Sequence, residues 1–308
     1  MKTKKIFSII TAAALFACIF SGCAKKDDGR LKVICTLFPQ YDFVRVIAGD
    51  KVNLTLLLEP GVNCHTYTPD TEEVTAIIKN NLLIYTNDAM EPWVADKMSS
   101  VKPTQTYVLN ASNGINLDTD MSDESLVQTG KAQPLEPHVW LYPPYAIKMV
   151  DNITARLCVM DAKNAEFYKT NAAAYKLKLK ALDTGFKDAV KNGKRKTVIF
   201  GDRFAFYYFV KEYSLGYLAA YPSCTSAAEP SAAALARMEN AIKLGNIPVV
   251  FYREFSDQKT AKLLSEKTGA KLLFFHSCEN LTQSETEAGA TYLSLMQQNL
   301  ANLKIALS

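Results

Sequence analysis

The sequence predicts an α/β fold in two lobes, each a parallel sheet flanked by helices, with one long backbone helix joining them. Three observations carry this expectation. Short apolar runs of strand type alternate with helix-spaced segments from Leu31 onward, the pattern of a parallel sheet covered by helices. One stretch, 164–191, keeps its apolar residues at three- and four-residue spacing over about eight turns. Beyond it the alternation starts afresh, and a 308-residue chain with 48% hydrophobic residues can fill more than one core.

The chain opens with a basic stretch (Lys2, Lys4, Lys5) and an apolar run from Ile6 to Phe20, too short for a comfortable membrane span. Residues 1–22 therefore read as an export signal. Ser21-Gly22-Cys23 resembles the lipobox of bacterial lipoproteins, in which cleavage before the cysteine exposes it for lipidation. Phe20 departs from the leucine usual in that pattern. Acyl chains on Cys23 would hold the folded part outside the membrane, and the charged segment 23–30 would be its tether.

Within the first lobe, 31–160, Leu31–Phe38 and Val52–Leu58 are strand-like runs separated by helical spacing over Tyr41–Ala48. Pro69-Asp70-Thr71-Glu72-Glu73 places acids in a first helical turn, where they oppose the helix dipole. A further strand, Asn81–Thr86, leads to a helix over Trp93–Met98. The polar stretch 110–137 reads as a solvated loop, since its acids lack the alternating frame and glycine of a calcium loop. Helical spacing returns at Tyr145–Val159. The linking helix, 161–192, presents Ala165, Tyr168, Ala172, Tyr175, Leu179, Leu182, Phe186 and Ala189 on one face and lysines elsewhere. At 1.5 Å per residue it would run about 40 Å, the length of a strut between lobes. In the second lobe, 193–308, strands are expected at Thr197–Phe200, Leu218–Tyr221, Pro248–Tyr252 and Lys271–Phe275. Helices are expected at Phe204–Tyr213, Ser231–Leu244, Gln258–Thr268 and Thr291–Leu307.

Candidate chemistry centres on the histidines, of which there are only three. His65 follows a Pro-Gly turn in LEPGVNCHTYTP, and His138 and His276 stand where the apolar runs in EPHVWLYP and KLLFFHSCEN stop. A neutral imidazole offers a lone pair to borderline divalent metals, and three nearly complete a zinc shell. Loops at the carboxyl ends of parallel strands are where such ligands converge.

Seven cysteines are present. Cys18 leaves with the signal and Cys23 is committed to lipid. Cys224 and Cys278, each just past a strand end, are the pair expected to form a disulfide in an oxidising exterior. Cys64 has a minor claim as a metal ligand, because on an extended segment it would point away from His65.

Charge narrows the partners. Of the 35 basic side chains, three belong to the signal, and 31 acidic ones oppose the rest, so the folded part is near neutral. No basic run with interleaved aromatics suggests nucleic acid. No GxxxxGK[ST] loop is present, so the chain itself should not hydrolyse ATP.

PGVNCHTYTP, EPHVWLYPPYA, DRFAFYYFVKEYSL, AEPSAAAL, IPVVFYREFSDQKTAKLLSEKTGAKLL and TYLSLMQQNLANLKIAL together resemble the solute-binding lipoproteins of ABC transporters for zinc and manganese. The resemblance covers almost all of the chain after the signal. It implies two α/β lobes on one backbone helix, a metal in the cleft between them and little hinge motion. His65 and His138 match the first two metal ligands of that family. His276 stands where the resemblance places the last. Arg203 occupies the place of the third, and arginine cannot coordinate a metal. Asp202 is taken as its replacement and Glu229 as the runner-up, with Arg203 in a supporting role beside the site.

The reading is thus a monomeric, extracytoplasmic, lipid-anchored binding protein rather than an enzyme. It captures Zn2+, with Mn2+ the alternative, and passes it to an ABC permease served by a separate ATPase subunit. A zinc-dependent hydrolase or hydratase using the same histidines is the competing class.

Overall fold

The computed structural model describes residues 28–119, 134–225 and 229–308. The expected signal, Cys23 and the tether up to residue 27 lie outside the described residues, as does the middle of the polar loop 110–137. Leu31–Ser308 forms one compact unit.

The first half contains β1 (Leu31–Cys35), α1 (Phe38–Ala48), β2 (Val52–Leu56), α2 (Thr71–Ile77), β3 (Leu82–Tyr85), α3 (Trp93–Met98), β4 (Tyr107–Asn110) and α4 (Pro143–Met160). Helix α1 starts three residues before the apolar spacing suggests, because Pro39 sits in the first turn, where its missing N–H has no partner to lose. The acids ahead of α2 form a capping box: Asp70 accepts from Glu73 N at 2.8 Å and Glu73 accepts from Asp70 N at 2.9 Å. Strand β4 is absent from the sequence-based map. It is a sheet edge whose four residues are all only half-buried, so it carries little apolar signal.

Helix α5 (Ala165–Asn192) follows, 28 residues long. Seven of its eight expected apolar positions are buried, from Tyr168 to Ala189; Ala165, in the first turn, is half-buried. The second half then adds β5 (Thr197–Arg203), α6 (Tyr207–Glu212), β6 (Gly216–Tyr221), α7 (Ala232–Gly245), β7 (Val249–Tyr252), α8 (Lys259–Thr268), β8 (Lys271–Phe274), α9 (Gln283–Glu287) and α10 (Tyr292–Leu307).

Both sheets are wholly parallel and share one topology, β2-β1-β3-β4 and β6-β5-β7-β8. In each, the chain leaves the central pair in opposite directions, which opens a crevice at the strands' carboxyl ends. The largest core cluster runs without interruption from Val33 and Ile84 through Tyr168 and Phe186 to Phe251 and Phe275, so α5 is buried against both lobes. The final helix strengthens the union. Tyr292 of α10 packs edge-on against Phe43 of α1, with centroids 4.9 Å apart, and its N–H donates to Asp42 at 3.0 Å.

Candidate metal centre

Four loops at the carboxyl ends of strands, two from each lobe, meet in the crevice. The loop after β2 brings Cys64 and His65. Its shape comes from Gly61, which takes φ +85°, and from Asn63, whose side chain accepts the His65 N–H at 3.0 Å. Asn280, across the crevice, clamps the same loop by donating to Glu59 O at 2.7 Å and Val62 O at 3.1 Å.

His138 follows β4 through the long connection and is fully buried. Glu136 accepts a very short hydrogen bond from its Nδ1 and another, at 3.1 Å, from its backbone N–H. With Nδ1 engaged by Glu136, Nε2 is the nitrogen that points into the crevice. There it lies 3.3 Å from His65 Nε2 and 3.2 Å from Glu279 Oε1.

Glu279 comes from the loop after β8. Its Oε2 is 3.8 Å from His65 Nε2, 3.4 Å from Arg253 Nη2 and 3.4 Å from the Cys64 thiol, which donates to it. Its Oε1 is buried without a well-formed hydrogen bond. Cys224, from the loop after β6, completes the cluster with Sγ 3.9 Å from His65 Nδ1. Donor atoms of His65, His138 and Cys224 lie within 4.8 Å of one another, as do those of Cys64, His65 and Glu279. A small pocket of about 140 Å³ opens beside them, bordered by Asp202, Arg203 and Arg253.

The electrostatics suit a cation. Burial works against the charged form of Glu279, but the Arg253 guanidinium and the two imidazoles outweigh it and hold the carboxyl well below its usual range. Burial also disfavours a charged His65, yet the Cys224 thiol and Glu279 push the ring up to about 9. In His138 the negative charge of Cys224 and Glu136 likewise overcomes burial and raises the ring. The two imidazoles in turn overcome burial at Cys224 and lower its thiol to about 7. Two imidazoles, a carboxylate and thiol sulfur at these separations are donors that zinc accepts.

Of the sequence-predicted site residues, the structure brings His65 and His138 together with Cys64 and Cys224, sets Asp202 and Arg203 on the border of the pocket, and leaves His276 and Glu229 elsewhere. His276 turns back into the second lobe, almost wholly buried. Its Nδ1 accepts the Cys278 N–H at 2.7 Å and its Nε2 faces Glu285 Oε1 at 3.2 Å, so neither nitrogen reaches the pair. Asp202 borders the pocket but spends its oxygens on backbone, accepting from Arg203 N at 2.7 Å and Arg253 N at 3.0 Å. Glu229 is exposed and accepts from Tyr221 OH at 3.2 Å. Arg203 lies over the Tyr221 ring, 5.7 Å from its centroid.

The expected Cys224–Cys278 disulfide is not formed. Both thiols are free: Cys278 is buried beside the His276 carbonyl, and Cys224 faces the imidazoles. Nor does Cys64 point away from the site. Residues 64–66 form a turn rather than an extended segment, so adjacent side chains share a side. Glu279, which the sequence reading passed over, stands three residues beyond His276. Cys278 adopts φ +59°, a left-handed turn that redirects the chain between the two.

Comparison with known proteins identifies the family. The zinc-binding lipoprotein AdcA of Streptococcus pneumoniae is 32% identical over 307 residues, covering 98% of this chain and 60% of that protein. The chain thus spans less than two thirds of that relative. The high-affinity zinc uptake system protein ZnuA of Bacillus subtilis is 32% identical over 290 residues, 93% of this chain and 90% of the relative. The crystal structure of the Zn(II)-bound ZnuA-like domain of Streptococcus pneumoniae AdcA superposes with a TM-score of 0.76 at 31% identity, covering 91% of this chain and 99% of that one. With residues 33–306 matching throughout, the chain belongs to the ZnuA family, described as zinc-uptake complex component A, periplasmic.

Proposed function

We propose that the protein captures zinc between its lobes and delivers it to an ABC-type permease, whose separate ATPase subunit drives transport. The observation that carries this reading is the approach of His65 Nε2 and His138 Nε2 to 3.3 Å beside the Glu279 carboxylate. Two nitrogens each about 2.0–2.1 Å from a tetrahedral zinc would sit about 3.3 Å apart. Glu279 replaces His276 and Asp202 in the ligand set, and Arg253 holds its charge while no ion is bound.

Zinc is favoured over manganese because imidazole nitrogen outnumbers carboxylate among these donors. Residues 1–22 act as a lipoprotein signal and 23–30 as a tether, so that lipidated Cys23 keeps a monomeric protein at the outer membrane surface beside its permease. The hydrolase or hydratase reading is set aside, since the relatives are named for binding and taking up zinc.

Calorimetric titration of the metal-free chain spanning 31–308 with zinc and with manganese tests capture. One zinc per chain is expected, tighter than manganese, with binding weakened at least a hundredfold in His138→Ala. Undiminished zinc binding by that variant would overturn the assignment.

A further inference from the structure

We propose that the Cys224 thiolate is itself a ligand of the captured ion, joining His65, His138 and Glu279, and that it makes the site select thiophilic divalent ions over manganese. This rests on the capture reading and adds a donor to it. His65, His138 and Glu279 supply three ligands, one short of the four that zinc takes in a closed shell. Cys224 is the donor placed to fill that position. Its Sγ shares a cluster with a nitrogen from each imidazole, all within 4.8 Å.

With Zn–S near 2.3 Å and Zn–N near 2.0–2.1 Å, sulfur and nitrogen on one tetrahedral zinc are about 3.6 Å apart. Against the 4.8 Å span of the cluster, the sulfur needs to close by about 1.2 Å at most. Binding is a proton exchange: the S–H bond breaks, sulfur donates its electron pair to the ion, and the proton leaves to solvent.

Two features single out this sulfur. Cys224 is a free thiol, so no disulfide withholds it. Cys64 is the other thiol at the site, but it groups with His65 and Glu279 only, and its S–H donates to Glu279 Oε2 at 3.4 Å. That bond orients the carboxylate and keeps Cys64 protonated, a positioning role distinct from ligation.

The consequence is selectivity. Thiolate is soft, so it strengthens binding of zinc and cadmium far more than of manganese, which prefers oxygen donors. Asp202, by contrast, is turned to the backbone, with one N–H on each of its oxygens.

Cobalt(II) titration of the 31–308 chain tests this, since a sulfur-to-cobalt charge-transfer band in the near ultraviolet reports a thiolate ligand independently of affinity. The band is expected in the parent chain and in Cys64→Ser, and lost in Cys224→Ser. The same variant should bind cadmium at least tenfold more weakly with manganese affinity little changed. If the parent binds cobalt without the band, or the band survives Cys224→Ser, the thiolate assignment is overturned while capture by the imidazoles stands. If the parent chain binds neither cobalt nor zinc, both readings fall together.

Discussion

His65 carries the pH dependence of the site. Despite burial, the Cys224 thiol and Glu279 hold its ring up to about 9, so at neutral pH the metal-free protein keeps a proton there. An incoming ion must displace it. Displacing the His65 proton should therefore cost zinc affinity about tenfold per pH unit below 9, and this contribution should level off above it. The same raised value means that His65 stabilises the metal-free fold most below its unfolded value of about 6.5, and that this contribution is lost as pH rises through 9. Zinc titrations across that range measure the first effect; an affinity unchanged between pH 7 and 9 would contradict it.

Arg253 is the counterpart in charge. Its Nη2 lies 3.4 Å from Glu279, and both side chains are about nine-tenths buried. Arg253→Met would leave that carboxylate buried beside two imidazoles alone, at a cost of about 3 kcal/mol in the metal-free protein. Zinc would supply the missing positive charge. Thermal melting should show a large loss without zinc and a much smaller one with it. Equal losses in both would mean that Arg253 serves packing rather than Glu279.

At the scale of elements, β5 is pressed against its covering helix. A Cβ on Gly201 would stand 2.6 Å from the Ala261 Cα in α8 and 2.9 Å from Val250 Cγ1 in β7. The first neighbour is backbone and cannot swing aside, so Gly201→Ala should destabilise by about 2 kcal/mol and lower the melting temperature by several degrees. A variant as stable as the parent would show that α8 rides freely over the sheet. Most of these elements were legible in the sequence because each buries one periodic face, as α5 does from Tyr168 to Ala189. Strand β4 and helix α9 were not, being short and without a fully buried residue.

In the whole molecule, the lobes are held together more firmly than two domains on a flexible linker. The Trp140 indole donates to Ser277 O at 2.7 Å, and Gly61 N to Leu281 O at 3.0 Å, each bond joining residues far apart in the chain on either side of the crevice. One core passes from lobe to lobe through α5. The 31–308 chain should accordingly unfold in a single transition, with calorimetric and van't Hoff enthalpies in agreement. Two resolved transitions would show that the lobes fold independently and that α5 only connects them.

Local sequence is enough for the α/β class, the two matching sheets, the long helix and two of the residues that meet in the crevice. Those follow from local periodicity and from the rarity of histidine at loop positions, both properties of neighbouring residues. The tertiary structure alone decided which side chains face the crevice. His276 and Glu279 share one loop, yet a left-handed residue at 278 lies between one that turns into the lobe and one that faces His138. Cys224 meets His65 across 159 positions of chain. Such meetings depend on how two sheets are set against a common helix, a geometry that no stretch of neighbouring residues encodes.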